Sequence, residues 1–263
     1  MPTLTSRGIL LTAVLPCATA CCKSEFINKQ RIDRRVEVGG KNHSKAEAIL
    51  EQLRAALSHV PPSLRTSGLH MEFGVRDGAS IGFLANETGL GTRWHGFDSF
   101  LGLPESGHSR YNKAWAPGTF SRHGVLPDVP ENVRLHAGWF NESVPQFLEA
   151  ELANTTNSHV AFMNMDADLY VSTRPVFEAV FSRCMHRVGT VISFDELFGT
   201  RSILSEEWRA LREAQQRFNF SYHFVSYALV PGSPFARSAV QLDDCGLPCR
   251  HKCVTRGTTR GSE

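Results

Sequence analysis

An α/β domain with a mostly parallel, doubly wound sheet is the architecture this chain predicts, on three observations. From about residue 45 onward, short apolar runs alternate with segments of helical period, the pattern of strand–helix–strand units and parallel pairing. Two of the runs, 161–165 and 190–194, are apolar almost throughout, as strands covered on both faces are. Both stop at acids, Asp166 and Asp168 after the first and Asp195 and Glu196 after the second. In an open α/β sheet the ligand crevice lies at the carboxyl ends of the strands, so these acids mark a candidate site for a divalent cation or for proton transfer.

The elements follow in order. Residues 1–40 show no sustained period and include the basic run 31–35, and they read as a tail or targeting segment. Over 45–59, Ile49, Leu50, Leu53, Ala56 and Leu57 fall on one helical face, and Pro61 and Pro62 end the helix. A strand is expected over 69–75, then a turn and a helix from about 79. Further strands are expected at 94–97, 133–137, 159–165 and 189–194, with helices at 144–152, 173–185 and 205–218. Two late strands, 222–229 and 238–242, have no helix between them and suggest an antiparallel pair at the sheet edge. The stretch from 100 to 130 has no clear period but is rich in Gly, Pro and aromatics, among them Tyr111, Trp115 and Phe120. A long loop of that kind reads as a lid.

Composition limits the alternatives. The 263 residues fit one large domain, or one domain with tails. A net charge of +2 and a pI near 8.2 provide no basis for nucleic-acid or anionic-membrane binding. No apolar run reaches the ~18–20 residues that span a bilayer, so no stable membrane insertion is expected. The stretch 8–20 ends in Ala18-Thr19-Ala20 and has the outline of a secretory signal, though an N-terminal tail of a cytosolic enzyme reads equally well. Five N-x-S/T sequons, at Asn42, Asn86, Asn141, Asn154 and Asn219, are compatible with secretion. The compartment stays open, cytoplasmic by default. Of seven cysteines, Cys184 reads as a small buried hydrophobe. Cys245, Cys249 and Cys253, with His251, read as a disulfide-bearing tail or a Cys3His zinc site. The expected division is therefore a tail over 1–40, a domain over 41–243 and a Cys-rich tail over 244–263.

The glycine turn Glu72-Phe-Gly-Val-Arg-Asp-Gly78 follows the first strand. Gly74 permits a sharp bend and close approach of a ligand, and Gly78 lets the next helix start tightly. Residues 76 and 77 are Arg and Asp, so this is not the dinucleotide fingerprint G-x-G-x-x-G. The acids Glu72 and Asp77 would repel a pyrophosphate and suit a ligand with a cationic amino-acid end, such as S-adenosylmethionine. Asp98 ends the second strand at the distance expected of a ribose acceptor, or else caps a helix. Gly138 and Trp139 would flank a flat heterocycle, or else Trp139 belongs to the core. His108 and His123 lie in the lid, and the other histidines show no ligand spacing. Tyr170, Ser172 and Thr173 read as structural. No Ser-His-Asp or Cys-His nucleophile arrangement is apparent.

Taken together, EFGVRDG, GFDSFLGLPE, Gly118-Thr-Phe120, GWF, MDADLYVST and VISFDE, in that order, resemble the macrocin O-methyltransferase family. The resemblance runs from Leu69 to Trp208. It implies a Rossmann-like, three-layer α/β/α fold with a seven-stranded sheet, and methyl transfer from S-adenosylmethionine to a hydroxyl of a small, sugar-like acceptor. It implies a donor site from Glu72, Phe73, Gly74, Gly78, Ser80, Asp98, Ser99, Gly138, Trp139 and Asp166. It further implies Asp166 as the base and Asp166, Asp195 and Glu196 as Mg²⁺ ligands, with Asp-Glu standing where the macrolide enzymes carry Asp-Asp. Two rival readings remain: a nicotinamide-dependent oxidoreductase on a similar sheet, and a non-catalytic protein that binds S-adenosylmethionine. No nucleic-acid partner is expected, and the acceptor and any homo-oligomer are left open.

Overall fold

The computed structural model describes residues 27, 30, 32, 33, 35, 37, 38, 44–108, 114–155, 157–200, 202–233, 235–246 and 249. Helix α1 (Lys45–Ser58) starts on a capping box: Ser44 Oγ accepts from the Glu47 amide, and the Ser44 amide donates to Glu47. A short helix, α2 (Pro62–Ser67), begins where the proline pair was expected only to end a helix, because Pro is well suited to a first helical position. There follow β1 (Leu69–Phe73), α3 (Ala79–Thr88), β2 (Trp94–Asp98), the two-residue strands β3 (Gly107–His108) and β4 (Ala114–Trp115), and β5 (Val133–Ala137). The second half contains α4 (Phe140–Asn154), β6 (Val160–Met165), α5 (Tyr170–Ser182), β7 (Val191–Phe198), α6 (Glu207–Phe218), β8 (Ser221–Leu229) and β9 (Ala236–Asp244).

The seven-stranded sheet has the order β5-β2-β1-β6-β7-β9-β8, and β3 pairs with β4 in a separate ribbon. β5, β2, β1, β6 and β7 are parallel, while β9 runs antiparallel to both its neighbours. The late strands therefore pair as expected, but the later one enters the sheet between β7 and β8. One face is covered by α4, α5 and α6, with Leu148, Phe177 and Leu211 on Phe73, Met165 and Phe194. On the other, Leu53 and Leu57 of α1 and Ile81 and Leu84 of α3 cover Trp94, Phe162 and Val191. Every residue of β6 is buried, as two-sided cover requires.

Three expectations are corrected. The seventh strand does not stop at its acids but continues to Phe198, with an irregular register between Phe194 and Phe198. Part of the first 40 residues belongs to the folded body: Ile27 and Ile32 join the core, and the Val38 amide donates to the Tyr227 carbonyl at 2.8 Å. Cys184 is no simple core hydrophobe, since it forms a disulfide with Cys249. That bond removes Cys249 from the Cys3His set, whose Cys253 and His251 lie outside the described residues. The buried Cys245 and Cys249 tie the start of the C-terminal tail to the domain.

Candidate active site

The chain leaves β1 toward β2 and β5 on one side and later returns to β6 and β7 on the other. The strand order thus reverses between β1 and β6, which opens a crevice at their carboxyl ends. Gly74 and Asp166 meet there. Gly74 has φ +93°, and a Cβ on it would lie 1.8 Å from the Asp166 carbonyl oxygen. The Asp166 amide donates to the Phe73 carbonyl at 2.8 Å. Only a residue without a side chain lets the two strand ends approach this closely.

A cavity of about 1,100 Å³ opens over this junction. Gly74, Ser80, Asp98, Ser99, Gly138, Trp139 and Asp166 line it, as do Asp195 and Glu196. Glu72, Phe73 and Gly78 do not. Glu72 is fully buried, its two oxygens accepting from Ser80 Oγ and from Asn164 Nδ2, each at 2.9 Å. Burial pushes its carboxyl up to about 8 against those two hydrogen bonds, so the proton is retained near neutrality. Glu72 therefore supports the glycine turn from beneath.

Asp98 shapes the wall next to that turn. One carboxylate oxygen accepts from the Arg76 amide at 2.8 Å and the other from the Phe100 amide at 2.7 Å. Each oxygen keeps a second lone pair for a ligand. Gly138, at φ +142°, donates its amide to the Asp98 carbonyl at 2.9 Å. Trp139 then caps α4 at the cavity wall.

The segment after β2 closes over the turn. Arg122 forms an ion pair with Asp77, and Arg76 lies 5.3 Å from the centre of the Phe120 ring. Phe120 packs edge-on against Trp115 at 5.1 Å. Asp77, expected to favour a cationic ligand, lines the cavity and also fastens the lid. Of the lid residues named from sequence, Phe120 reaches the cavity, His123 does not, and Tyr111 lies outside the described residues.

The acids are held from two sides. In the loop after β6, Asp168 adopts φ +59°, and its neighbours are fixed from α6. Glu207 accepts from the Ala167 amide at 3.1 Å, and Glu206 from the Tyr170 amide at 2.7 Å. Glu207 is buried, and burial, together with the nearby Asp166, Asp168 and Glu196, pushes its carboxyl well above the usual range. Tyr170 has the structural role expected of it, donating its hydroxyl to Glu213 at 2.5 Å.

Asp195 and Glu196 part company. Adjacent residues of a strand point to opposite faces, and here Asp195 ion-pairs with the buried Arg237 of β9, whereas Glu196 is within electrostatic reach of Glu207. Among the described residues no three Asp, Glu, His or Cys side chains come together in a way that could hold a metal ion. Asp166, Asp195 and Glu196 share the cavity but, so arranged, do not fit a metal shell. Glu206, Glu207, Arg237 and Asn164 were missed from sequence. Only Asn164, a polar residue in an otherwise apolar strand, carried a signal there.

The family model described as Macrocin-O-methyltransferase (TylF) matches residues 41–219. A crystal structure of CalS11, a calicheamicin methyltransferase, superposes with a TM-score of 0.55 at 24% identity, covering 83% of this chain and 85% of that one. An apo structure of CalS11, described as a TDP-rhamnose 3'-O-methyltransferase, gives 0.47 at 23% identity, over 83% and 86%. No curated protein matches the chain in sequence.

Proposed function

The chain belongs to the macrocin O-methyltransferase family and is an S-adenosylmethionine-dependent methyltransferase, and from that premise we propose that it methylates a hydroxyl of a small, sugar-like acceptor, with Asp166 as the base. The observation that carries this reading is the junction of Gly74 with Asp166 at the floor of one cavity. Gly74 of the glycine turn and Asp166 line the same crevice, which supports a donor site there.

In the proposed arrangement the ribose lies at Asp98 and the adenine along Gly138 and Trp139. The methionine end rests on Gly74 and Ser80, and Glu72 holds the Ser80 hydroxyl from below. The acceptor enters beneath the lid, from the side of Asp168 and Glu196. Its oxygen attacks the methyl carbon in line with the carbon–sulfur bond. That bond breaks, the electron pair stays on sulfur, and S-adenosylhomocysteine leaves. The hydroxyl proton passes to the Asp166 carboxylate, a step worth ~10²–10⁴-fold in rate for a well-placed base. Holding donor and acceptor in line supplies much of the rest. No step is routed through Mg²⁺, since the three acids do not form a shell for it.

CalS11 is described as acting on TDP-rhamnose, which makes a sugar hydroxyl the first acceptor class to try. The test is calorimetric titration of S-adenosylmethionine, followed by transfer of labelled methyl to a panel of glycosides and nucleotide sugars. Micromolar donor binding and label on a sugar oxygen support the reading. Absence of donor binding sinks it.

A further inference from the structure

The buried arginine that faces the acids was invisible in the sequence, and its placement follows from register. Ser193 of β7 stands opposite Ala239 of β9. Arg237 precedes Ala239 by two residues and so rises from the same face of the sheet, one step nearer the carboxyl ends of the parallel strands. There it meets Asp195. Its Nε donates to Gln52 Oε1 at 3.4 Å, while Gln52 Nε2 donates to Ser193 and Ser226, each at 3.4 Å. The guanidinium, carried by β9, is thus held by α1 and β7. It is 4% exposed and lines the cavity.

A buried charge is retained when it is paired, and the partner here is the carboxylate that a metal shell would need. Arg237 also lies close enough to Glu72 to favour the charged form of that acid. A divalent ion at Asp195 would have to displace a guanidinium that α1 and β7 hold, or sit beside it against like charge.

We propose that Arg237 is the resident cation of this site: it takes the place of a divalent ion at Asp195 and keeps that carboxylate in position, so that methyl transfer proceeds without a metal. The inference rests on the methyl-transfer reading of the same cavity. The reaction balances without a metal, since the electron pair of the breaking bond stays on sulfur and the proton goes to Asp166. Arg237 acts as a positioning residue and a fixed positive charge in the cavity wall.

The test uses the full chain with bound S-adenosylhomocysteine and Mn²⁺ as the probe, its binding followed by loss of the free-ion electron paramagnetic resonance signal. The unaltered chain is expected to bind Mn²⁺ no more tightly than ~1 mM. Arg237→Gln, which releases Asp195, is expected to bind it at least tenfold more tightly, and Arg237→Lys, which keeps the charge, to behave as the unaltered chain. Micromolar, stoichiometric Mn²⁺ binding by the unaltered chain overturns the proposal and requires no variant to fold. A folded Arg237→Gln that gains no affinity overturns it as well. Calorimetry of S-adenosylhomocysteine in the same samples separates the two readings: a chain that never binds it refutes methyl transfer, whereas tight Mn²⁺ binding with the donor site intact refutes only the role of Arg237.

Discussion

Glu72 of β1 and Asn164 of β6 stand opposite each other in the parallel register, and Asn164 Nδ2 donates to Glu72 Oε2 at 2.9 Å inside the sheet core. This pair joins the two strands whose ends form the crevice, one residue below Phe73 and Met165. It is a buried polar link between the glycine turn and the strand that carries Asp166.

The link makes stability depend on pH. The Glu72 carboxyl is raised from 4.5 to about 8, so its contribution is full below 4.5 and is lost as pH rises through 8. Glu72→Gln holds no proton to lose. Its amide can be accommodated if Asn164 turns over, since Asn164 Oδ1 has no hydrogen-bond partner. Relative to the unaltered chain, Glu72→Gln should gain stability between pH 5 and pH 9, by at most about 5 kcal/mol. Urea unfolding at both pH values measures the difference, and parallel pH profiles would show that Glu72 is ionised throughout.

Gly74 should tolerate no side chain. An alanine Cβ there would strike the Asp166 carbonyl in a left-handed backbone. Gly74→Ala is expected to cost ~3 kcal/mol or more and to lose donor binding. Gly89 makes a suitable control: its φ is +73° and ψ 174°, but nothing lies within 4 Å of its added Cβ, so Gly89→Ala should cost the backbone preference alone, ~1–3 kcal/mol, and leave donor binding intact. Thermal unfolding of the two variants distinguishes steric collision from backbone preference.

Asp166→Asn should lower turnover by ~10²–10⁴-fold with donor affinity nearly unchanged, because the backbone contact with Gly74 survives. S-adenosylhomocysteine release reports the first quantity and calorimetry the second. Unchanged turnover would remove Asp166 from the mechanism.

The Cys184–Cys249 disulfide spans 65 residues and sits just after α5, near the start of β6, at the end of the sheet away from the cavity. Cys184→Ser should destabilise the chain by about 4 kcal/mol on the chain-entropy estimate while leaving donor affinity untouched. An equal loss of affinity would mean that the tail shapes the crevice.

The lid is fastened to the glycine turn by Asp77 and Arg122. Asp77→Asn should raise the KM for the acceptor severalfold with little change in kcat, because the ion pair is half exposed and contributes about 1 kcal/mol or less. Steady-state kinetics would show it, and a fall in kcat alone would place Asp77 in the chemistry instead.

Apart from α2, the β3–β4 ribbon and the extension of β7 to Phe198, the strands and helices were legible in the sequence, as were the sharp turn at Gly74 and the placing of Asp166, Asp195 and Glu196 at one end of a sheet. Those features are local: side-chain period, turn chemistry and the point where an apolar run meets an acid are all written in neighbouring residues. Tertiary structure alone decided that β9 enters between β7 and β8, that Arg237 thereby meets Asp195, that Glu207 reaches under the Ala167 loop, and that Glu72 supports the turn from within the core. Each depends on which distant strand or helix becomes a neighbour, and that choice is made by packing of the whole sheet between its two helical layers. Asp195 and Glu196 both line the cavity but take different neighbours, Arg237 and Glu207. Acids adjacent in sequence thus differ in surroundings, and one of them meets a cation that no local pattern announces.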